Sequence, residues 1–305
     1  MYTVIDGCTS SDNSPRYFRD VFLLGEEGIP LQGNRVISRF TNFKNDQLLI
    51  WLMHHQNKDL ARIDGVTLPL YGDWSSNFWH WCYEALPVAL AAHEGGFSGT
   101  YLIPDIPFAA DTLKLLGIRP DRIRCADGGD YYLECMCLLD KRRGSDAANL
   151  APLSRIRSIL RAEFADQTRA HRVYISRNGN PQNMRKVVNE AELLALLQRF
   201  DFITLHLENL PLAEQLAYTC NATSLIGPHG AGMTHCTFMP EESLVLELFA
   251  PVYINPCVLL ACDHLRHKYF QITSHGIDNT RYRHGLDVDA YLQIIELTLT
   301  RELGR

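Results

Sequence analysis

In the stretch SSNFWHWCYEALP, Asn77, His80 and Glu84 recur at helical spacing, so three polar groups share one face while tryptophans and Leu86 cover the others. An imidazole and a carboxylate on one helix face suit proton transfer. Either His80 or Glu84 takes the proton of an attacking hydroxyl while the other orients it, with Asn77 on the same acceptor-facing side. The structural alternative is a buried, hydrogen-bonded His/Glu pair that only holds the helix.

A second constellation lies far along the chain. TSLIGPHGAGMTHCTFMP reads as a short apolar strand, a turn with Gly227, Gly230, Gly232 and the histidine His229, and then helix-like sequence. Glycines let a backbone come close to a ligand, and free amides at a following helix N-terminus favour an anion such as pyrophosphate. The order is not Gly-x-Gly-x-x-Gly, and no phosphate-loop Lys-Ser/Thr signature occurs, so neither a generic NAD site nor an ATP site is indicated. A sharp strand-to-helix turn around a structural histidine is the plain alternative. Arg177 follows the strand VYIS at the same sheet edge, and Arg185 sits in the loop NGNPQNMRK; such arginines can bind a diphosphate bidentately without a metal. For them a surface position or an ion pair is the bland reading. Glu247 ends the strand LVLE after the turn, where a carboxylate commonly accepts from ribose hydroxyls; a salt bridge is its alternative.

The elements that must position these residues follow from periodicity. TYLIPD, FAADTLKLLGI and RIRCAD read as strand, helix, strand; NRVISRF and QLLIWLMHH as strands; NFWHWCYEALPVALAAHEGG as a helix closed by glycines; YYLECMCLL as a strand before a polar loop. APLSRIRSILRAEFADQTRAH is a connecting helix that carries the domain boundary. The second half alternates clearly through RVYISR, NEAELLALLQRF, DFITLHL, PLAEQLAYTCNA, TSLIG, SLVLELF, INPCVLLACDHLRHK and YFQIT, which predicts a parallel sheet wound on both faces. DVDAYLQIIELTLTRELGR is a final amphipathic helix.

Composition bounds the function. The chain has 305 residues, 46% hydrophobic and 21% charged, with a formal charge of -6, which fits a folded globular protein and argues against a nucleic-acid coat. The N-terminus has no basic region followed by an apolar one, and no segment stays apolar long enough to span a bilayer, so the expected location is cytoplasmic. Nine cysteines without a Cys-x-x-Cys pair suggest reduced, mostly buried thiols. CDHLRHK groups Cys262, Asp263, His264 and His267, and MHHQ holds His54 and His55, but neither completes a four-ligand zinc set. No Gly-x-Ser-x-Gly elbow supports a serine hydrolase.

VYISR, MRKVVNEAEL, LPLAEQLAYTCNATSLIGPHGAGMTHCTFMP and LVLELF together resemble glycosyltransferase family 61, and NFWHWCYEALP and TLKLLGI resemble its N-terminal half. Members include bacterial polysaccharide glycosyltransferases and eukaryotic xylosyl- and N-acetylglucosaminyltransferases. The resemblance runs from Asp73 to Phe249. It implies an α/β, GT-B-like architecture of two Rossmann-like domains with parallel sheets and an interdomain cleft. The divisions expected are an acceptor-side domain over 1–160, a nucleotide-sugar domain over 161–285, and a helix over 286–305 packing back across the cleft. Carried over by motif, Ser176, Arg177, Arg185, His229, Gly230, Ala231, Gly232 and Glu247 look like donor-site positions, with His80 and Glu84 opposite. The chain departs from the pattern in the long loop NGNPQNMRK, in His235 and Cys236, and in its first seventy residues.

The resemblance further implies an inverting transfer with no metal and no cofactor beyond the nucleotide-sugar co-substrate, a UDP-sugar. The partners it implies are that donor and a glycan or lipid-linked glycan acceptor in polysaccharide synthesis, with peripheral contact at the inner face of the membrane. A rival from another class is a non-catalytic nucleotide- or carbohydrate-binding module with a degenerate site.

Overall fold

The structure, a computed structural model, describes residues 3–5, 14–25, 28–37, 60–72, 74–139, 147–166, 168–250, 254–274 and 288–304. The chain divides into two compact units, Met1–Asn149 and Leu150–Arg305. The expected strand QLLIWLMHH, with His54 and His55, and most of the polar loop after YYLECMCLL lie outside the described residues.

The first unit is built on an eight-stranded sheet. Its strands are β1 (Thr3–Ile5), β2 (Arg16–Leu24), β3 (Ile29–Gln32), β4 (Arg35–Ile37), β5 (Leu60–Pro69), β6 (Thr100–Pro104), β7 (Ile123–Ala126) and β8 (Asp130–Leu138), in the order β1-β4-β3-β2-β8-β5-β6-β7. β8, β5, β6 and β7 run parallel, whereas β2 is antiparallel to both β8 and β3. The expectation of a parallel sheet is therefore corrected for this unit: the sheet is mixed. The reason is local, since β2, β3 and β4 follow one another through short turns, Gly28 and Gly33 taking left-handed φ of 61° and 59°, and short turns join only antiparallel neighbours.

The parallel half carries the helices. Phe78–His80, a π-turn over Trp81–Ala85 and Leu86–Glu94 follow without a break and form helix α1; α2 spans Pro107–Leu115. α1 links β5 to β6 and α2 links β6 to β7, each a parallel crossover. The two helices are joined by Trp81, whose Nε1–H donates to Thr112 Oγ1 at 2.8 Å, and by the edge-to-face rings of Phe78 and Phe108.

The second unit is regular. Helix α3 (Ala147–Phe164) leads into β9 (His171–Ile175), α4 (Glu190–Gln198), β10 (Phe202–Leu205), α5 (Leu212–Thr219), β11 (Ala222–Pro228), a 3₁₀ segment Ala231–Phe238, β12 (Leu244–Phe249), α6 (Cys257–His264), β13 (Lys268–Thr273) and α7 (Leu292–Leu303). The sheet is wholly parallel in the order β10-β9-β11-β12-β13. Consecutive residues from Ser224 to Pro228 of β11 and throughout β12, such as Leu225 and Ile226 or Val245 and Leu246, are buried, so both faces are covered. Tyr174, Ile226, Leu246, Leu248 and Ile272 pack with Leu193, Leu197, Ile295 and Leu299 of α4 and α7. The final helix, expected across a cleft, buries Ile295 and Leu299 in this unit's own core, with Arg199 bonded to Glu296 at 2.6 Å.

Renumbered from its own first strand, this order is 2-1-3-4-5, the doubly wound arrangement in which the connections change direction between the first and third strands. That switch lies between β9 and β11. Ligands of such sheets bind beyond the carboxyl ends at the switch, where Ser176 and Arg177 leave β9 and His229 and Gly230 leave β11.

Candidate functional site

At the end of β11 the chain passes from Pro228 through His229 and Gly230 into the 3₁₀ segment. His229 is buried, its amide donates to Leu248 O at 2.9 Å, and its ring stacks on Phe249 with centroids 4.7 Å apart. Its Nδ1 lies 2.6 Å from Glu247 Oε1, and Tyr269 donates its hydroxyl to Glu247 Oε2 at 2.7 Å. Burial and the adjacent Glu247 push the Tyr269 hydroxyl up, so it stays a donor. A carboxylate acceptor at 2.6 Å suits a proton on Nδ1, which leaves Nε2 as the second polar atom of the ring.

Glu247 was expected to receive a ribose. It has no exposed surface, and its two oxygens bond to His229 and Tyr269. Tyr269 escaped sequence reading. Glu247 pairs with Gln271 across the parallel ladder, so Tyr269, two residues earlier, points to the same face, and that register is written nowhere near either residue.

Arg177 and Arg185 reach the same turn from the β9 side. A Cβ on Gly230 would lie 2.6 Å from Arg177 Nη1 and 3.7 Å from Arg185 Nη2, so the two guanidinium groups converge over this glycine. Any side chain at 230 would occupy the space of Arg177. Burial and the charge of Arg185 push Arg177 down to about 10, which still leaves it a cation at neutral pH. Two guanidinium groups held so close can together receive an anion, with Glu208 the carboxylate that acts on Arg177.

The loop that presents them is closed on itself. Asn178 donates to Val187 O at 2.7 Å and accepts from Val187 N at 2.9 Å, and Val187 bridges to Val288. Arg177 Nε donates to Met184 O at 2.8 Å, and Asn183 donates to Arg177 O at 3.0 Å. Arg185 adopts φ 62°, a left-handed conformation costly for a side chain with a Cβ and tolerated where the surroundings impose it. The extra length of NGNPQNMRK thus forms a tied loop. Ser176, expected to face the donor, donates to Glu190 Oε1 at 2.7 Å and accepts from Asn178 N at 3.1 Å, so its hydroxyl organises the loop's start. Glu190 also accepts from Tyr174 at 2.8 Å and, with Asn178, is a positioning residue that sequence reading missed.

Beyond the turn, Gly230, Ala231 and Gly232 are half-buried while Met233–Phe238 is buried throughout. A Cβ on Gly232 would stand 3.1 Å from Ile175 Cγ2, so this glycine serves packing. His235 and Cys236, the departures from the family pattern, are core residues. His235 bonds Thr219 and Gln215, and burial pushes it down to about 3, so it is neutral. Arg161 donates to Phe238 O at 2.8 Å and Arg157 to Met239 O at 2.7 Å, cations at the carbonyl end of the 3₁₀ segment. The cluster in CDHLRHK disperses: His267 Nε2 donates to Cys236 O, His264 meets Ser154, and Cys262 is buried beside Cys236. Among the described residues no three His, Cys, Asp or Glu side chains converge as a metal site.

In the first unit, His80 Nδ1 lies 2.8 Å from Glu84 Oε1. The side chain of His80 is 31% exposed and that of Glu84 10%, so the imidazole stands in front and the carboxylate behind it. Pro87 explains the alignment. Its ring has no N–H and would press on the carbonyl four residues back, and the helix accommodates this by a π-turn in which Leu86 N–H reaches Trp81 O. The wider turn brings residues four apart nearly into line, as the stacked rings of Trp79 and Tyr83, 3.8 Å between centroids, also show. Asn77 Oδ1 accepts from Trp79 N at 2.9 Å, so its oxygen caps the helix.

A model of the family described as Glycosyltransferase 61 matches residues 78–246, more than half of the chain. Among curated proteins, the EGF domain-specific O-linked N-acetylglucosamine transferase of Drosophila melanogaster is 43% identical over 79 residues, 25% of this chain and 15% of that protein. The protein O-linked-mannose beta-1,4-N-acetylglucosaminyltransferase 2 of Xenopus tropicalis is 42% identical over 90 residues, 28% of this chain and 15% of that protein. The matches thus span about a sixth of these relatives' length.

Proposed function

The chain belongs to glycosyltransferase family 61, and from that premise we propose that it is a glycosyltransferase, moving a sugar from a UDP-sugar to a glycan hydroxyl by one inverting displacement without a metal. The observation that carries this reading is the convergence of Arg177 and Arg185 over Gly230 at the switch point of a parallel sheet. Two guanidinium groups match a diphosphate in charge and in hydrogen-bond geometry, and they offset the charge of the departing nucleoside diphosphate as a divalent cation does elsewhere. His229, held by Glu247 and Tyr269, lies beside them with Nε2 as its second polar atom.

In this reading His80 takes the acceptor proton, since it is the more exposed member of its pair, and Glu84 fixes the ring and stabilises the imidazolium that forms. The acceptor oxygen bonds to the anomeric carbon as the bond to the phosphate oxygen breaks, and that electron pair leaves on the diphosphate. A GT-B-like division of labour follows, with donor binding in the second unit and acceptor activation in the first. The names of the relatives favour N-acetylglucosamine as the sugar and a protein-linked glycan as acceptor, while the wider family keeps a polysaccharide or lipid-linked acceptor in play. No described helix is long and apolar enough to cross a membrane.

The test is thermal unfolding of the chain with UDP, GDP, CMP or ADP in EDTA, repeated with Arg177→Ala. A ligand of the native state raises the midpoint. Stabilisation by UDP alone, lost in the variant, is the expected result; stabilisation by none of the four would favour a non-catalytic module with a degenerate site.

A further inference from the structure

We propose that Trp74 is the stacking platform for a sugar ring of the acceptor, beside His80 on the first unit. The inference rests on the reading of His80 as the group that serves the acceptor hydroxyl. Trp74 is 63% exposed, whereas Trp79 and Trp81, five and seven residues on, are buried. Its indole is therefore not a core side chain. Its ring lies 6.0 Å from that of His80, centroid to centroid, at an interplanar angle of 31°.

The exposure is imposed by the backbone. Trp74 adopts φ 65°, the left-handed region that a bulky residue with a Cβ avoids, and the bonds on either side hold it there. Ser75 donates both its amide, at 3.0 Å, and its hydroxyl, at 2.8 Å, to Gly72 O, and its hydroxyl accepts from Gly72 N at 3.0 Å. Trp74 O accepts from Asn77 N at 2.8 Å, and Asn77 in turn caps the helix that carries His80. The turn and the helix start are thus tied by hydrogen bonds, and the backbone that carries the indole is held against the helix that carries the imidazole. A glycine at 74 would adopt this conformation freely; a tryptophan there places a large flat ring in solvent at a conformational cost.

An indole face is electron-rich and apolar, and the complementary ligand surface is the C–H face of a pyranose, whose edge hydroxyls remain in water. A ring stacked on Trp74 would direct an edge hydroxyl towards His80. Because His80 serves the acceptor hydroxyl in that reading, the sugar stacked beside it is the acceptor's. Trp74 is a positioning residue in this account, with no proton to give or take.

The proposal is tested by saturation-transfer NMR on the full chain with methyl glycosides of mannose, N-acetylglucosamine and glucose as probes, comparing wild type, Trp74→Ala, Trp74→Phe, Trp74→Gly and His80→Ala. The expected result is transfer to ring C–H protons of at least one glycoside, weakened about tenfold in Trp74→Ala and Trp74→Gly and retained in Trp74→Phe and His80→Ala, a loss of about 1.4 kcal/mol of binding. Trp74→Gly should fold no less well than wild type, because it suits the left-handed backbone. Unchanged glycoside binding in Trp74→Ala, or binding of no glycoside by the wild type, would overturn the proposal. If glycosides still stack on Trp74 while His80→Ala transfers sugar at the wild-type rate, the assignment of His80 fails, and with it the identification of the stacked sugar as the acceptor's, while the stacking itself stands.

Discussion

Arg177 Nη1 occupies the position next to Gly230 that a side chain there would need, 2.6 Å from where a Cβ would be. Because the obstructing atom is the far end of a flexible side chain, Gly230→Ala should displace the guanidinium without breaking the core. Gly230 also sits at φ 159° and ψ −178°, a conformation open essentially to glycine, so the expected outcome is a destabilisation of about 1–3 kcal/mol together with loss of nucleotide-induced stabilisation. Thermal scans with and without UDP separate the two effects. A variant that still gains full stability from UDP would show that the pair does not hold the diphosphate.

Arg177→Ala and Arg185→Ala should each weaken UDP binding by roughly 10- to 100-fold, about 1.5–3 kcal/mol for a charge-assisted hydrogen bond. Isothermal calorimetry reads this directly. Arg185→Gly is expected to bind as weakly but to fold at least as well, since φ 62° suits glycine.

His80→Ala should lower kcat by about 10²- to 10⁴-fold with little change in nucleotide affinity, the range for loss of a positioned general base. Glu84→Gln keeps the shape and removes the charge behind the imidazole, so it should lower kcat less and shift the pH–rate profile. Steady-state rates across pH check both; equal rates in wild type and His80→Ala would remove His80 from the proton transfer.

Tyr269→Phe leaves Glu247 Oε2 buried with one bond fewer and should destabilise the second unit by about 1–3 kcal/mol. Chemical denaturation measures the loss. If His229 depends on this chain of bonds, the stabilisation by UDP shrinks too, although Tyr269 lies behind Glu247.

Burial pushes His235 down to about 3 and His267 to about 4, from an ordinary value of 6.5. Between 6.5 and those values the unfolded chain binds protons that the folded chain does not, so stability is greatest above 6.5 and falls on acidification towards 4. Denaturation midpoints across this range should show a steep acid limb. His235→Asn, neutral at every pH, should flatten it; an unchanged slope would assign the acid sensitivity to other groups.

The second unit was largely legible in the sequence because its strands are short apolar runs buried on both sides and its helices alternate with them. The first unit was half legible. The crossovers around FWHWCYEALP and FAADTLKLLGI carry their own periodicity, but β2, with Tyr17, Arg19 and Asp20 exposed, is fixed by pairing with β8 more than a hundred residues away. The candidate site shows the same division. The convergence of Arg177 and Arg185 on the glycine turn follows from the strand end that carries Arg177 and the loop that carries Arg185, both present in the sequence. The role of Glu247 was not legible there, because it depends on Tyr269 of the adjoining strand, and that of Ser176 was not, because Glu190 returns to it from the next helix.

The π-turn at Trp81–Ala85 amounts to one residue more than an α-helix would use over the same rise, and it shifts the phase of everything before it by about 100°. Helix α1 is therefore written in two reading frames. From Leu86 onward the apolar positions keep step with the core, while Asn77 to His80 keep step with the cap and the His80–Glu84 pair. Substitutions that repack the later frame leave the earlier one in place, so the core of this unit can drift in sequence while the imidazole keeps its bearing. A deletion within the turn would couple the frames again, and burial and the His80–Glu84 contact would then compete for the same side chains.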